Sequence, residues 1–218
     1  MNFSMGPHPR HQCLIYDGAP SRHIPAVASA LGEKLRSNHR CLYLNSRPMI
    51  AGMKSQLAAN GIDVHQAIFK GNLLLSSEQT HLLGDWEFDV PSMLRSLERA
   101  LQQALKDGYQ GLWASGDMTW EFGPARDLGK LLEYEWRLEE FMREHPQMSG
   151  ICQYHADTIP REVLHQGLCS HSHLFVSETL TIINPHYIDR VSSSQRVPND
   201  VIEMDHFITG LLDRESLN

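Results

Sequence analysis

Short apolar runs alternate with longer segments of helical periodicity along most of this 218-residue chain. Such alternation is typical of a parallel sheet with helices packed on both faces. The clearest helical segment follows Asp89, where apolar residues from Val90 to Leu105 recur three or four positions apart. The sequence therefore predicts an α/β fold of three layers, αβα, with a mostly parallel central sheet. The predicted strands are residues 13–16, 41–44, 112–115, 150–155 and 173–176.

The predicted helices lie between these strands and after the last one. Ser21 is a suitable N-cap for the first helix, and the pair His145-Pro146 ends the longest one. Residues 64–77 are less regular and are predicted to hold a short strand with a hairpin, and residues 181–183 an edge strand. The length suits a single domain. The predicted helices are residues 21–36, 48–59, 89–108, 124–144, 160–166 and 201–212.

Composition excludes several classes of protein. The formal net charge is −7 and opposite charges are interleaved, so direct nucleic-acid binding is not expected. No apolar run approaches the length of about eighteen residues that a membrane helix needs, and the N-terminus lacks a signal-peptide pattern. We therefore expect a cytoplasmic protein without a membrane segment. The distant cysteines, which form no C-x-x-C pair, predict reduced thiols: Cys13, Cys41, Cys152 and Cys169.

The turn after the first strand occupies the position of a P-loop. When the pattern G-x-x-x-x-G-K-[ST] starts at Gly18, its last three specified positions hold His23, Ile24 and Pro25. A P-loop uses those positions for backbone donors, a cation on the phosphate oxygens and a hydroxyl on Mg²⁺. Ile24 has no charge, and Pro25 has neither a hydroxyl nor an amide donor. The sequence thus predicts a degenerate P-loop and a function other than phosphate transfer.

A binding site is predicted at the carboxyl ends of the strands, because ligands of doubly wound sheets collect there. Asp17 and Asp117 could instead close turns or cap helices. Glu133 and Glu135 are two positions apart on one helix, so one of them is expected to face inward. The candidate ligand-binding residues are Tyr16, Asp17, Gly18, Arg22, Asp117, Trp120, Glu121, Glu135, Gln153, Tyr154 and His155.

Thirteen histidines raise the question of a metal site. His11 and Cys13 share one face of the first strand, and His171 and His173 would do the same in an extended segment. Zn²⁺ needs four donors, however, and the sequence has no second H-x-C pair. His11 and Cys13 are therefore the candidate ligands, but we expect core or loop roles for them and no metal or other cofactor.

Five segments, in order, resemble the motifs of one family. They are His-Gln-Cys-Leu-Ile-Tyr at 11–16, Gly-Asp-Met-Thr-Trp at 116–120, Leu-Glu-Tyr-Glu at 132–135, Ile-Cys-Gln-Tyr at 151–154 and Asn-Pro-His-Tyr at 184–187. The chain is thereby similar to the MEDS family of sensory domains, named from methanogen and methylotroph proteins. The resemblance covers residues 8–188. It leaves a polar linker at 189–200 and a C-terminal helix at 201–218.

This resemblance implies a fold related to the KaiC and RecA group of P-loop ATPases, and sensing rather than turnover. It also implies a small organic ligand or a partner protein at the strand ends, with relay through a partner signalling protein to transcription or signal transduction. The chain departs from the family at His155, where an aspartate is usual, and at residues 170–173, which replace a His-Pro pair. Its ligand would differ from those of its relatives if these positions contact it.

Two other functions stay open. In a divergent nucleotide-binding protein or ATPase, Asp117 would be the Walker B carboxylate and Glu121 or Glu135 would position the water. A rim whose acids are opposed by Arg22 alone disfavours a triphosphate. In a pure interaction module, the C-terminal helix would join two copies, although its apolar residues could equally pack on the domain itself. Those residues are Val201, Ile202, Met204, Phe207, Ile208, Leu211 and Leu212.

Overall fold

The computed structural model describes residues 9–77, 89–118, 128–189 and 200–215, which build a seven-stranded sheet with helices on both faces. The strands are β1 (His11–Tyr16), β2 (Arg40–Leu44), β3 (Leu73–Ser76), β4 (Leu112–Asp117), β5 (Met148–His155), β6 (His173–Ser177) and β7 (Leu180–Ile183). Their order across the sheet is β3-β2-β4-β5-β1-β6-β7, and only the edge strand β7 is antiparallel to its neighbour. The predicted α/β fold with a mostly parallel sheet is confirmed.

The helices follow the predicted alternation with strands. None in the described ranges is both long and apolar enough to cross a bilayer. Asp89 caps its helix as predicted, since its side chain accepts a hydrogen bond from the amide of Ser92. The helices are α1 (Ile24–Arg36), α2 (Arg47–Ala59), α3 (Val64–Phe69), α4 (Val90–Lys106), α5 (Leu128–Glu144), α6 (Arg161–Ser170) and α7 (Val201–Glu215).

Two local predictions were wrong. Ser21 is not an N-cap, because Pro20–Arg22 form a short 3₁₀ turn and α1 begins only at Ile24, next to Pro25. Residues 64–77 form no hairpin; they hold α3 and the strand β3, which pairs in parallel with β2.

Alternate residues of each buried strand face opposite sides of the sheet. Cys13 and Ile15 of β1 pack in the core beneath α4, α5, α6 and α7, which we call the α5 side. Leu14 and Tyr16 pack in the core beneath α1, α2 and α3, which we call the α1 side. This division places the candidate site residues in two separate regions.

The C-terminal helix α7 packs on the α5 side of its own domain. Met204, Ile208 and Leu211 are buried in that core. Asp205 also accepts hydrogen bonds from Nε of Arg161 and, at the same oxygen, from Nε2 of His165, both at 2.7 Å. Most of the apolar face that the sequence offered for pairing two copies is thus already covered by the chain itself.

Candidate functional site

The loop after β1 is held by residues that follow β5. Gly18 has φ +66°, in the left-handed region that glycine adopts without strain. Its amide donates to Oδ2 of Asp157 (2.8 Å), and its carbonyl accepts from Nε2 of His155 (3.0 Å). The amide at the start of the P-loop pattern is therefore bound to a carboxylate of the same chain.

Tyr16, the last residue of β1, lies between two imidazole rings. Its ring centroid is 4.5 Å from that of His23 and 4.9 Å from that of His155, and the second pair is stacked at 10°. Burial lowers the pKa of His23 to about 4, although the backbone and charge of Asp17 oppose the shift. His23 is therefore neutral at physiological pH and presents an uncharged aromatic ring to Tyr16.

The phenol group of Tyr16 is buried, and Tyr16 is only 1% exposed. Among the described residues, its hydroxyl has no hydrogen-bond partner. Burial, with the nearby charge of Asp117 and the neighbouring Tyr43, raises the pKa of Tyr16 well above its usual value. The phenol therefore stays protonated and is a hydrogen-bond donor at the strand ends.

A chain of buried polar side chains lies next to Tyr16. Gln153 donates through Nε2 to Oγ of Ser115 (2.7 Å), and that hydroxyl donates to the carbonyl of Ile151 (2.8 Å). Asn45 donates to the hydroxyl of Tyr43 (3.2 Å). Sequence reasoning identified Gln153 but missed the other three polar residues, whose only signal is their position near the strand ends.

We call Tyr16, Tyr43, Asp117, Gln153 and His155 the strand-end site. Of the other predicted residues, Asp17 is half-buried beside it, while Gly18 and Arg22 are exposed in the loop after β1. Trp120 and Glu121 lie outside the described residues.

Glu135 and Tyr154 do not lie with this group, which corrects their predicted position at the rim. Tyr154 follows Gln153 in β5 and therefore faces the opposite side of the sheet, the α5 side. Glu135 is buried there as well, 1% exposed. Glu133 instead faces outward and pairs with Arg137 at 3.0 Å, so one of the two acids faces inward as expected.

Four potential metal ligands meet on the α5 side, and we call His11, Glu135, Cys152 and His171 the buried cluster. Oε2 of Glu135 lies 3.3 Å from Nε2 of His11, 3.4 Å from Nε2 of His171 and 3.6 Å from Sγ of Cys152. Sγ of Cys152 is 3.5 Å from Nε2 of His11. Each donor atom comes from a different part of the fold: β1, α5, β5 and the end of α6.

The outer nitrogen of each imidazole in the cluster is already engaged. Nδ1 of His171 lies 2.7 Å from the carbonyl oxygen of Gly167, which can only accept, so Nδ1 carries the proton. Nδ1 of His11 lies 2.9 Å from Oε2 of Glu139. The Nε2 atoms of both rings therefore point into the cluster, and that of His171 has no hydrogen-bond partner among the described residues.

The two carboxylates receive further hydrogen bonds. The hydroxyl of Tyr154 donates to Oε1 of Glu135, and the hydroxyl of Tyr187 donates to Oε1 of Glu139 at 3.0 Å. Burial alone would raise the pKa of Glu135, but the His171 and His11 rings beside it lower that pKa overall. Glu135 is therefore a carboxylate acceptor, with an oxygen available to the cluster.

The pKa values of the two imidazoles in the cluster are shifted in opposite directions. Burial disfavours the charged form of His11, but the hydrogen bonds and charges of Glu135 and Glu139 outweigh it and raise the pKa of His11 to about 9. Burial, followed by the charge of His11, lowers the pKa of His171 to about 4. His171 is thus neutral at pH 7.

Of the two candidate ligands His11 and Cys13, only His11 belongs to the buried cluster. Cys13 is buried opposite Cys152 in the β1–β5 register, but it is not among the four clustered donors. His173 likewise lies outside the cluster, beside Ser172 at 2.9 Å from its hydroxyl. His11 therefore shares the cluster with Cys152 rather than with Cys13.

The model of the family described as "MEthanogen/methylotroph, DcmR Sensory domain" matches residues 10–172, well over half of the chain. The chain belongs to the MEDS family. No curated protein matches it.

Solved structures resemble this MEDS chain in fold. An uncharacterised protein from Pyrococcus horikoshii, crystallised in complex with an unknown peptide, has a TM-score of 0.57 at 15% identity, covering 79% of this chain and 81% of its own. The flagellar accessory protein FlaH from Methanocaldococcus jannaschii has a TM-score of 0.48 at 13% identity, covering 76% of this chain and 70% of its own. The likeness to the Pyrococcus horikoshii protein is one of fold, an α/β fold with a mostly parallel sheet between helices.

Four of the five segments that resemble MEDS motifs meet at the buried cluster. Segments 11–16, 132–135 and 151–154 supply His11, Glu135 and Cys152. In segment 184–187, Asn184 donates through Nδ2 to the carbonyls of Leu168 and His171, at 2.5 and 2.7 Å, and so holds the end of α6 in place. The motifs thus carried the signal that the search for metal-ligand spacing missed.

Proposed function

We propose that this MEDS domain senses a small neutral organic molecule at the strand-end site and relays its binding to a partner signalling protein. The observation that carries the proposal is the buried phenol of Tyr16, whose hydroxyl has no partner among the described residues. The family match supports a sensory role. The ligand chemistry follows from the groups around that phenol.

The strand-end site suits a ligand with an acceptor oxygen. A protonated phenol donates a hydrogen bond, and pairing a buried donor recovers about 1–3 kcal/mol. Asp117 lies close enough to raise the pKa of Tyr16, and its charge would repel an anion. The rings of His23 and His155 flank the phenol, and the ring of His23 is neutral at physiological pH. An alcohol or a carbonyl compound fits these conditions better than a carboxylate or a phosphate does.

A nucleoside triphosphate fits poorly at the loop after β1, so we propose a degenerate P-loop and no ATPase activity. The amide of Gly18 is bound by Asp157, and Pro25 has no amide to offer near the start of α1. Phosphate oxygens would therefore meet a carboxylate where a P-loop presents donors. A remote relationship to KaiC stays part of this proposal.

The relay would use the contacts that join the loop after β1 to the segment after β5. His155 both stacks on Tyr16 and donates to the carbonyl of Gly18. A ligand on Tyr16 would shift this loop between two arrangements if it binds one of them more tightly, by about 1–3 kcal/mol for ordinary coupling. Output to transcription or signal transduction, a cytoplasmic location and the absence of direct nucleic-acid binding belong to the same proposal.

Calorimetric titration with methanol, acetone and dichloromethane tests the binding step. We expect acetone or methanol to bind, and Tyr16→Phe to weaken that binding roughly 5- to 100-fold, since the variant has no buried donor to pair. Dichloromethane has no acceptor oxygen, so the substitution should leave its binding unchanged. Tyr109→Phe, at the opposite end of the sheet, is the matched control. Equal binding of methanol and acetone to Tyr16→Phe and to Tyr109→Phe would contradict the proposal. Micromolar binding of Mg·ATP to the wild-type protein would contradict it as well.

A further inference from the structure

The geometry points to a zinc site: we propose that His11, Glu135, Cys152 and His171 together bind one Zn²⁺ ion on the α5 side of the sheet. The site is separate from the strand-end site, and the inference does not rest on the proposed function. It rests on the spacing of the four donor atoms, on their orientation and on their chemistry.

The spacing matches a tetrahedral zinc ion. Zinc bonds of about 2.0–2.3 Å at tetrahedral angles place neighbouring donor atoms about 3.3–3.6 Å apart. Four of the six separations in the buried cluster are 3.3, 3.4, 3.5 and 3.6 Å, and the other two, from Nε2 of His171 to His11 and to Cys152, are at most 4.8 Å. Neighbouring donors are thus already arranged around a common centre.

The orientation of the donors is that of metal ligands. A histidine that binds a metal through one nitrogen typically donates the other N–H to a carboxylate or a backbone carbonyl. His11 has Glu139 in that role, and His171 has the carbonyl of Gly167. The hydroxyl of Tyr154 likewise donates a hydrogen bond to Oε1 of Glu135. Oε2 of Glu135 therefore faces the ligand atoms of the other three residues.

The unpartnered nitrogen of His171 is an independent sign of a cation. With its proton on Nδ1, Nε2 presents a lone pair to Oε2 of Glu135 at 3.4 Å, and both residues are nearly fully buried. Two acceptors that face each other away from water are unfavourable, and buried polar atoms are normally paired. A cation between them removes this conflict because both become its ligands.

The chemistry of the donors favours zinc and a closed site. Two imidazoles, a thiolate and a carboxylate form a mixed N, S and O set that suits Zn²⁺, whereas Ca²⁺ and Mg²⁺ prefer oxygen alone. The thiolate and the carboxylate balance the charge of the dication. Four protein ligands leave no open position, as in structural rather than catalytic zinc sites. The ion would join α5 and α6 to the sheet.

Metal analysis and cobalt substitution of the full chain test this inference. After growth with zinc and dialysis, we expect equimolar zinc in the wild-type protein. With Co²⁺, we expect the strong visible absorption of tetrahedral cobalt and a thiolate-to-cobalt band in the near ultraviolet. Cys152→Ser should abolish the thiolate band and weaken zinc binding at least 100-fold, whereas the matched variant Cys169→Ser should retain both.

A milder variant keeps the test decisive if Cys152→Ser does not fold. Glu139→Gln leaves all four ligands in place and should weaken zinc binding roughly 10- to 100-fold, as loss of a supporting carboxylate does. Absence of zinc and of cobalt binding in the folded wild-type protein would overturn the inference in favour of a metal-free network held by protonated His11. Cobalt binding without a thiolate band, or unaffected by Cys152→Ser, would also overturn it.

Discussion

The strand-end site and the buried cluster lie on opposite faces of one sheet and differ in which group lacks a partner. At the strand ends, the unpartnered group is a donor, the phenol of Tyr16, beside a half-exposed loop. In the buried cluster it is an acceptor, Nε2 of His171, enclosed by helices. The Tyr16 hydroxyl can donate to an organic ligand that exchanges through the neighbouring loop. Nε2 of His171, enclosed with other acceptors, suits a cation that stays bound. One fold can thus separate a stabilising centre from a sensing surface.

Removing the carboxylate at the middle of the cluster should destabilise the protein most. Glu135→Gln takes a charged acceptor from His11, Tyr154 and the bound ion, all in the interior. We expect a loss of about 3–5 kcal/mol in the free energy of unfolding, as for broken buried ion pairs. Urea denaturation measures the loss. The control Glu133→Gln, on the exposed face of α5, should change stability by about 0.5 kcal/mol or less, and equal effects would show that the cluster contributes nothing.

A smaller loss is expected for Tyr154→Phe, which deletes only one hydrogen bond to Glu135. Hydrogen bonds to charged groups contribute about 1.5–3 kcal/mol. Urea denaturation compares the free energy of unfolding of this variant with that of Tyr109→Phe. The hydroxyl of Tyr109 lies at the surface, 3.4 Å from the carbonyl of Lys70. We expect binding of acetone or methanol at the strand-end site to be unchanged in Tyr154→Phe. A marked loss of that binding would join the two regions that we describe as separate.

Gly18→Ala should affect the other region. With φ at +66°, an alanine there costs about 1–2 kcal/mol of stability. Gly61→Ala is the matched control, because Gly61 has φ +78° and its added methyl group would meet no atom within 4 Å. Thermal unfolding should show similar losses for both variants. Calorimetry should show weaker ligand binding for Gly18→Ala alone, and equal binding would remove the loop after β1 from the sensing surface.

The smallest effect near neutral pH concerns His23, which changes stability only in acid solution. The pKa of His23 is about 4 in the folded protein, lowered by burial from its ordinary 6.5 while Asp17 opposes the shift and Arg22 and His155 support it. Below pH 6.5 the unfolded chain therefore takes up a proton that the folded chain refuses, so stability falls between pH 6.5 and 4 and no effect remains above that range. Denaturation at several pH values should show a shallower fall for His23→Gln, and parallel curves would contradict this assignment.

The sequence predicted the sheet well because its interior strands are apolar runs between helices with clear periodicity. The runs at 41–44 and 112–115 became the buried strands β2 and β4. Within residues 64–77 the predicted short strand was right, as β3, but the predicted hairpin was wrong, because Leu74 of this edge strand is 46% exposed and the segment has no continuous buried pattern. The predicted N-cap at Ser21 was also wrong. Pro20 begins a separate 3₁₀ turn, and α1 starts only at Ile24, next to Pro25.

The candidate sites were harder to predict, and for two different reasons. That Gln153 and Tyr154 face opposite sides of the sheet follows from strand periodicity, and the sequence could have shown it. The meeting of His11 with Glu135 and Cys152 could not be shown this way, since more than a hundred residues separate the first from the others. Only packing of α5 against β1 and β5 brings those donors together.

The independence of the two sites is tested most directly by measuring zinc content and acetone binding in the same two variants, Tyr16→Phe and Cys152→Ser. We predict that Tyr16→Phe keeps its zinc and loses most of its acetone affinity, and that folded Cys152→Ser loses its zinc and keeps that affinity. Loss of zinc in Tyr16→Phe, or loss of acetone binding in folded Cys152→Ser, would contradict the account.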